Sequence, residues 1–263
     1  FRRQGVESER LRPMVSGDEL RDWEASSQLH AMFPYDTDKL LPIKASPGAH
    51  RWLWPARTYL GARTTFSKRT YIEEGRPWWE WHQIALERIK TPLTITFGEI
   101  ATHNHFVLDR GGKVFNRTAP VIKLPAGSSE DEHLGLLGLL NSSVACFWLK
   151  QVCFNKGDST DVNGARTTGD PAFDTYAFNS TKVGEFPLCK GRPLASARRM
   201  DALVHQLGTI QPATLLATNP APIRASLDAA HTHATQVRQH MIGEQEELDW
   251  HCYRLYGLLP EGC

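Results

Sequence analysis

The sequence predicts an α+β protein, a mixed sheet with flanking helices followed by a helical C-terminal tail. Three observations carry that expectation. Leu93–Phe97 alternates Thr with apolar residues, as a strand does. His133–Phe154 is apolar with helical spacing. Beyond Pro193 the strand-like patterning stops and two long helical segments follow.

Taken in order, the residues before Met14 are charged and suit a leading strand or linker. Ser16, with Glu19 three residues on, is the start signal of a short helix to Trp23. From His30 to Pro55 the chain is rich in Pro and aromatics, and Leu40, Leu41 and Ile43 mark a strand. Arg57–Arg69 and Trp78–Arg88 read as helices. Phe106 and Leu108, then Val114 and Phe115, flank an Asp109-Arg-Gly-Gly112 turn, the signature of a β-hairpin. Ala119–Leu124 adds a strand. Leu136, Leu137, Leu140, Val144, Phe147 and Trp148 then recur at helical spacing within one long helix.

Asn155–Pro171 is dense in Gly, Asn, Asp and Thr and reads as a loop, and Val183–Leu188 as a closing strand. Ala195–Leu207 and Ile223–Gly257 read as helices joined by a Pro-rich linker, Gln211–Pro222. In the second, Met241, Gln245, Leu248, Cys252 and Leu255 alternate steps of four and three, a packing seam. The expected organisation is residues 1–190 as one domain and 191–263 as a helical packing segment.

With 263 residues, 41% of them hydrophobic, the chain has the composition of an ordinary globular protein. It begins at Phe1 rather than Met, so a longer polypeptide is expected. It has no signal-peptide pattern and no apolar run of about 18 residues, which points to the cytoplasm and away from membranes. Cys146, Cys153, Cys189, Cys252 and Cys263 are odd in number and lack a CxxC spacing. That argues against a disulfide framework or a zinc site. Three Asn-x-Ser/Thr triplets, at Asn116, Asn141 and Asn179, are chance matches in such a compartment.

The formal charge of +1 is low for a free DNA-binding domain. Its distribution is uneven. Arg51–Lys90 holds eight Lys and Arg against four Glu, a net of +4, which leaves −3 on the remainder.

Three segments, Ile100–Phe115, Gly135–Gly157 (with Leu139-Leu-Asn-Ser-Ser143) and Glu244–Leu258, resemble the C-terminal target-recognition region of adenine-specific DNA methyltransferases. The likeness is to those of the BREX or phage-growth-limitation type, related to type IIG restriction–modification enzymes. It extends from about Arg12 to about Leu258. It implies a module that reads a site on double-stranded DNA, alongside a methyltransferase domain of the same polypeptide and other subunits of a phage-defence system. S-adenosylmethionine is then expected in the parent protein and no cofactor in this part.

The catalytic motifs of that chemistry are absent here. Asn219-Pro-Ala-Pro222 lacks the second Pro and the aromatic ring that stacks on a flipped adenine. Gly61, Gly111-Gly112 and Gly135 do not form a GxGxxG after a strand. No catalytic residue is therefore assigned.

His103-Asn-His105 is not a nuclease motif. As strand neighbours the two His share a face, Asn104 takes the other, and no further metal ligands are arranged around them. Arg51–Arg88 interleaves Trp52, Trp54, Trp78, Trp79 and Trp81 with Arg. Such rings stack on bases or, more commonly, form core. The resemblance puts this segment in a DNA-facing domain, with Arg57, Arg63, Lys68, Arg69 and Arg76 as phosphate contacts. In the 155–169 loop, Lys156, Asn163 and Arg166 suit base edges, Lys or Arg to guanine and Asn to adenine. The closing helix, with Glu246, Glu247 and Asp249, reads as packing.

The leading expectation is a target-recognition domain. The alternative is a protein-interaction module of a phage-defence complex, using the aromatic segment and the helical tail.

Overall fold

The computed structural model describes all residues except Asp22, Gln28, Thr37, Asp38, 83–90, 159–168, Pro220 and 260–263. It has the expected α+β architecture. The chain divides into two compact units. One comprises Phe1–Val15, Ser27–Pro92 and Arg110–Val114, and the other Ser16–Ser26, Leu93–Asp109 and Phe115–Cys263.

In the first unit, β1 (Leu11–Val15) pairs antiparallel with β4 (Leu29–Met32), Leu11 opposite Met32 and Met14 opposite Leu29. On its other side β1 neighbours β10 (Val114–Phe115). A small ribbon joins β5 (Tyr35–Asp36) to β6 (Lys39–Leu40). Two short helices follow, α1 (Pro47–Leu53) and α2 (Arg57–Gly61). Their start is fixed from a distance: the Glu7 carboxylate accepts from the Gly48 N–H at 2.7 Å and the Ala49 N–H at 3.1 Å. A carboxylate there satisfies amides that a helix start leaves unpaired. Val6, Met32, Ile43, Ala49 and Leu53 form one apolar cluster, and Phe33, Tyr35 and Val114 another, with Trp81 packed against it.

The second unit is larger. β2 (Leu20–Arg21) and β3 (Glu24–Ala25) form a ribbon, and Trp23 in its turn takes φ 68°. β7 (Thr94–Phe97) lies between β9 (Phe106–Asp109) and β11 (Val121–Ile122). β8 (Ile100–Ala101) pairs with β13 (Thr175–Ala177), which pairs in turn with β12 (Phe154–Gly157). Its helices among the described residues are α3 (Glu130–Leu140), α4 (Ser143–Val152), α5 (Ser180–Gly184), α6 (Leu194–Thr209), α7 (Pro212–Thr218) and α8 (Arg224–Leu255). Ile95, Phe97, Phe106, Leu137, Leu149, Met200, Met241 and Leu248 belong to its single core. Gly138 sets how closely three helices approach. A Cβ there would lie 2.9 Å from Pro193 Cγ, 3.2 Å from Ala197 Cβ and 3.6 Å from Leu248 Cδ1.

Several expected elements differ, each for a local reason. The expected hairpin does not close on itself. Gly111 and Gly112 do take left-handed φ of 92° and 82°, but β9 pairs with β7 and β10 joins β1. The helix expected to run to Trp23 is a single 3-10 turn, Gly17–Glu19, where the Glu19 carboxylate accepts from the Ser16 N–H at 2.8 Å. The strand expected over Leu40–Ile43 stops at Leu40, and Ile43 begins a 3-10 turn. The expected Arg57–Arg69 helix ends at Gly61, where the β-branched Thr64-Thr65 pair follows and the chain folds back.

The long helix expected over His133–Phe154 breaks at Asn141-Ser142 because the Asn141 side chain leaves the helix to bond a strand. Ser142 then caps α4, its hydroxyl accepting from the Ala145 N–H at 3.2 Å. The loop expected from Asn155 starts instead inside strand β12. The strand expected over Val183–Leu188 begins as helix α5, because the Asn179 side chain caps it, accepting from the Lys182 N–H at 2.9 Å. Within the Gln211–Pro222 linker, Pro212 starts helix α7, its fixed φ suiting a first turn. His103 and His105 lie in an irregular bend rather than a strand. The helix expected over Trp78–Arg88 lies largely outside the described residues; Trp78–Trp81 is non-helical. Among the described residues no helix is long and apolar enough to cross a membrane.

Candidate nucleic-acid interface

In the first unit the chain leaving α2 makes a tight turn. Thr64 and Thr70 bridge as in an antiparallel pair. The Thr65 N–H donates to the Arg69 carbonyl at 2.9 Å, and the Lys68 N–H to the Thr65 carbonyl at 3.0 Å. Lys68 takes the left-handed conformation, φ 62°, which costs a side-chain-bearing residue about 1–2 kcal/mol.

Two carboxylates hold the turn. Glu73 accepts from the Thr70 N–H at 2.7 Å and its hydroxyl at 2.9 Å. Glu74 accepts from the hydroxyls of Ser67 and Thr65. These bonds hold both carboxyls below the usual Glu range. The turn thus presents Phe66, 89% exposed, beside the exposed Lys68 and Arg69.

Behind it sits a buried ring. Tyr71 is fully buried, and the guanidinium carbons of Arg63 and Arg76 stand over it at 4.6 and 4.5 Å. Arg63 also donates to three carbonyls, those of Leu60 at 2.6 Å, Trp78 at 2.9 Å and Glu80 at 2.8 Å. Arg76 pairs with Glu80 through both Nε and Nη2, and the bond to Glu80 raises its pKa further. These two cations organise the segment. Arg57 is different: it is exposed, with its guanidinium carbon 4.2 Å from the centre of the Trp54 ring. Arg69 donates one bond, to the Glu73 carbonyl at 3.0 Å, and is otherwise exposed.

The five tryptophans divide the same way. Trp79 donates its indole N–H to the Leu41 carbonyl at 3.0 Å, and Trp81 to the Met32 carbonyl at 2.9 Å. The Tyr35 hydroxyl accepts from the Trp81 N–H at 2.9 Å, and burial pushes that phenol up to about 12. Trp78 lies among Trp54, Trp79 and His50. Trp52 and Trp54 are partly exposed, with Phe1 against the one and Arg57 over the other, and Tyr59 nearby in sequence is 79% exposed.

Arg57, Arg63, Lys68, Arg69 and Arg76 therefore all fall in the first unit, three of them exposed and two tied into packing. Lys156 is exposed in β12 of the second unit, and Asn163 and Arg166 lie outside the described residues. Sequence reasoning passed over Phe66 and Tyr59. The signal for Phe66 was its setting, a lone apolar residue in Thr-Thr-Phe-Ser-Lys-Arg with no partner at strand or helix spacing.

The second unit holds a polar junction between α3 and α4. The Asn141 side chain pairs with the Phe106 backbone in both directions, accepting from its N–H at 2.9 Å and donating to its carbonyl at 2.8 Å. Asn104 donates to the Leu140 carbonyl at 2.6 Å. Gln245 donates to the Asn141 carbonyl at 3.0 Å and accepts from the Trp23 indole at 3.1 Å. Asp249 takes the Ser143 N–H at 2.7 Å and its hydroxyl at 2.6 Å. All three segments that carry the resemblance meet here. Their shared residues tie α3, α4 and α8 to strand β9, with Asn104, Asn141 and Gln245 half-buried and Ser143 exposed. His103 takes no part; burial, with help from Lys150, lowers its pKa. Among the described residues no three His, Cys, Asp or Glu are grouped to hold a metal ion.

The fold is similar to part of a solved enzyme. Over 97% of its length the chain superposes, with a TM-score of 0.54 and 14% identity, on 29% of the type IIL restriction–modification enzyme MmeI, solved in complex with DNA. In sequence it is 47% identical, over 99% of its length, to the adenine-specific methyltransferase PglX of Streptomyces coelicolor. The chain spans 22% of that protein's length. No protein-family model matches it.

Proposed function

We propose that this chain is the DNA target-recognition part of a site-specific adenine-N6 methyltransferase of a phage-defence system. Residues 1–190 are assigned to DNA recognition and 191–263 to helical packing. Methyl transfer, with S-adenosylmethionine, belongs to a further domain of the same polypeptide, because no adenine-binding or cofactor-binding motif is found here.

One observation carries the reading. In a fold shared with an enzyme solved on DNA, the first unit turns Arg57, Lys68 and Arg69 outward together with Trp54, Tyr59 and Phe66. Exposed cations neutralise phosphates, and exposed rings offer faces to bases. Arg63 and Arg76 shape the surface from behind, through Tyr71. Lys156 is the described candidate for reading base edges, with Asn163 and Arg166 assigned to the same task. Phosphate contacts would set the register and these three the sequence.

A salt titration of binding to duplex DNA tests this. Without the catalytic domain on the other side of the duplex, dissociation constants of roughly 10⁻⁴ to 10⁻⁶ M are expected, with affinity falling as salt rises. The competing reading, a protein-interaction module, draws on exposed Phe147 and Trp250 in the second unit. It predicts no duplex binding at any salt concentration.

A further inference from the structure

Phe66 is the most exposed large apolar side chain among the described residues, and nothing in its own unit covers it. The turn that carries it is firmly built all the same. It is bridged at Thr64 and Thr70, closed by the Lys68 amide, and tied down by Glu73 and Glu74. Lys68 is held in a backbone conformation that Gly would adopt more readily. The turn's bonds fix the backbone from which the exposed Phe66 ring projects. The two cations that follow the ring, Lys68 and Arg69, point to the polyanion that the proposed function already invokes. The Glu74 carboxylate is engaged by the hydroxyls of Thr65 and Ser67, on either side of Phe66, and that of Glu73 by Thr70.

We infer that Phe66 is an apolar wedge: on duplex DNA its ring enters between adjacent base pairs, while Lys68 and Arg69 hold the phosphates beside the opened step. An apolar side chain beside cations is the arrangement by which proteins unstack a step and kink the duplex. Pyrimidine–purine steps, which unstack most readily, are the expected points of insertion. The inference rests on the duplex-binding reading but asks more of it, since phosphate contacts alone leave the stack intact.

The test uses the full chain and end-labelled duplexes with 2-aminopurine at TA and CA steps. Anisotropy, 2-aminopurine emission and end-to-end energy transfer are read on the same samples. The wild-type chain is expected to raise emission several-fold and shorten the end-to-end distance. Phe66→Ala abolishes both changes while weakening binding by less than about tenfold, since the phosphate contacts remain. Phe66→Trp restores them. Removing so exposed a ring leaves the thermal unfolding midpoint unchanged, which separates loss of the wedge from loss of the fold. A bound wild-type chain that leaves emission at its free-DNA level overturns the wedge and spares duplex binding. So does a Phe66→Ala chain as bright as wild type. Absence of any anisotropy change overturns both.

Discussion

The junction around Asn141 and the turn around Phe66 use polar groups in opposite ways. At the junction, Asn104, Asn141 and Gln245 bond partners from distant segments, and Ser142 bonds locally to cap α4. At the turn, the partners of Glu73 and Glu74 lie within nine residues, and Phe66, Lys68 and Arg69 are exposed beside Glu73. The first arrangement specifies a fold, because a buried amide left without a partner costs far more than a good one contributes. The second leaves charge and aromatic surface for something outside the chain. A family likeness read from sequence can therefore rest on residues that tie the fold together. Here the three segments singled out in the sequence meet at one polar junction.

The comparison can be broken most decisively at Asn141. Asn141→Leu keeps the volume but strands the Phe106 N–H and carbonyl, so a loss of about 3 kcal/mol is expected in denaturant unfolding. A loss below about 1 kcal/mol would mean that water replaces the amide and the junction is less enclosed than its geometry states. Gly138→Val comes next. Its branches would press on Pro193, Ala197 and Leu248, and overpacking of this kind costs about 1–3 kcal/mol. A neutral result would show that α3, α6 and α8 can shift apart freely.

Glu7 sharpens the first unit's side of the comparison. Burial works to raise its carboxyl, but the amides of Gly48 and Ala49 outweigh that and hold it below the ordinary 4.5. The folded value is thus depressed. Its contribution is present above the unfolded value and is lost as pH falls through the folded one. Glu7→Gln should cost about 1 kcal/mol at neutral pH, as loss of a helix cap does. That cost should vanish in acid, as followed by unfolding at pH 7 and pH 3. A pH-independent difference would assign the effect to packing.

How much of this could be read from the chain depends on where the determining contact lies. The α8 seam was legible because its period is local, and Met241, Leu248 and Cys252 are all buried as the steps of four and three require. The Gly111-Gly112 turn was legible as a backbone geometry, but its strand partners were not. β7 and β9 are buried along their whole length, so both faces are covered, and tertiary burial rather than the turn chose the pairing. The break at Asn141 was hidden because Asn is tolerated in a helix, and only a strand 35 residues away explains its departure. Arg63 and Arg76 are indistinguishable from Arg57 in composition. Only the position of Tyr71 separates those that organise the segment from those left exposed.

The smallest effects on stability carry the functional claim. Lys68→Ala and Arg69→Ala, both exposed, should change the unfolding free energy by no more than about 0.5 kcal/mol. Each should still lower the salt dependence of duplex binding by about one unit. The most direct measurement is that salt dependence in an Arg57→Ala/Lys68→Ala/Arg69→Ala chain beside wild type, by anisotropy on one duplex, with unfolding followed in parallel. The expected result is an intact fold whose slope of log affinity against log salt is shallower by about three units. A slope equal to that of the wild-type chain, in protein that is folded, would contradict the assignment of the DNA-facing surface to this turn and its neighbours.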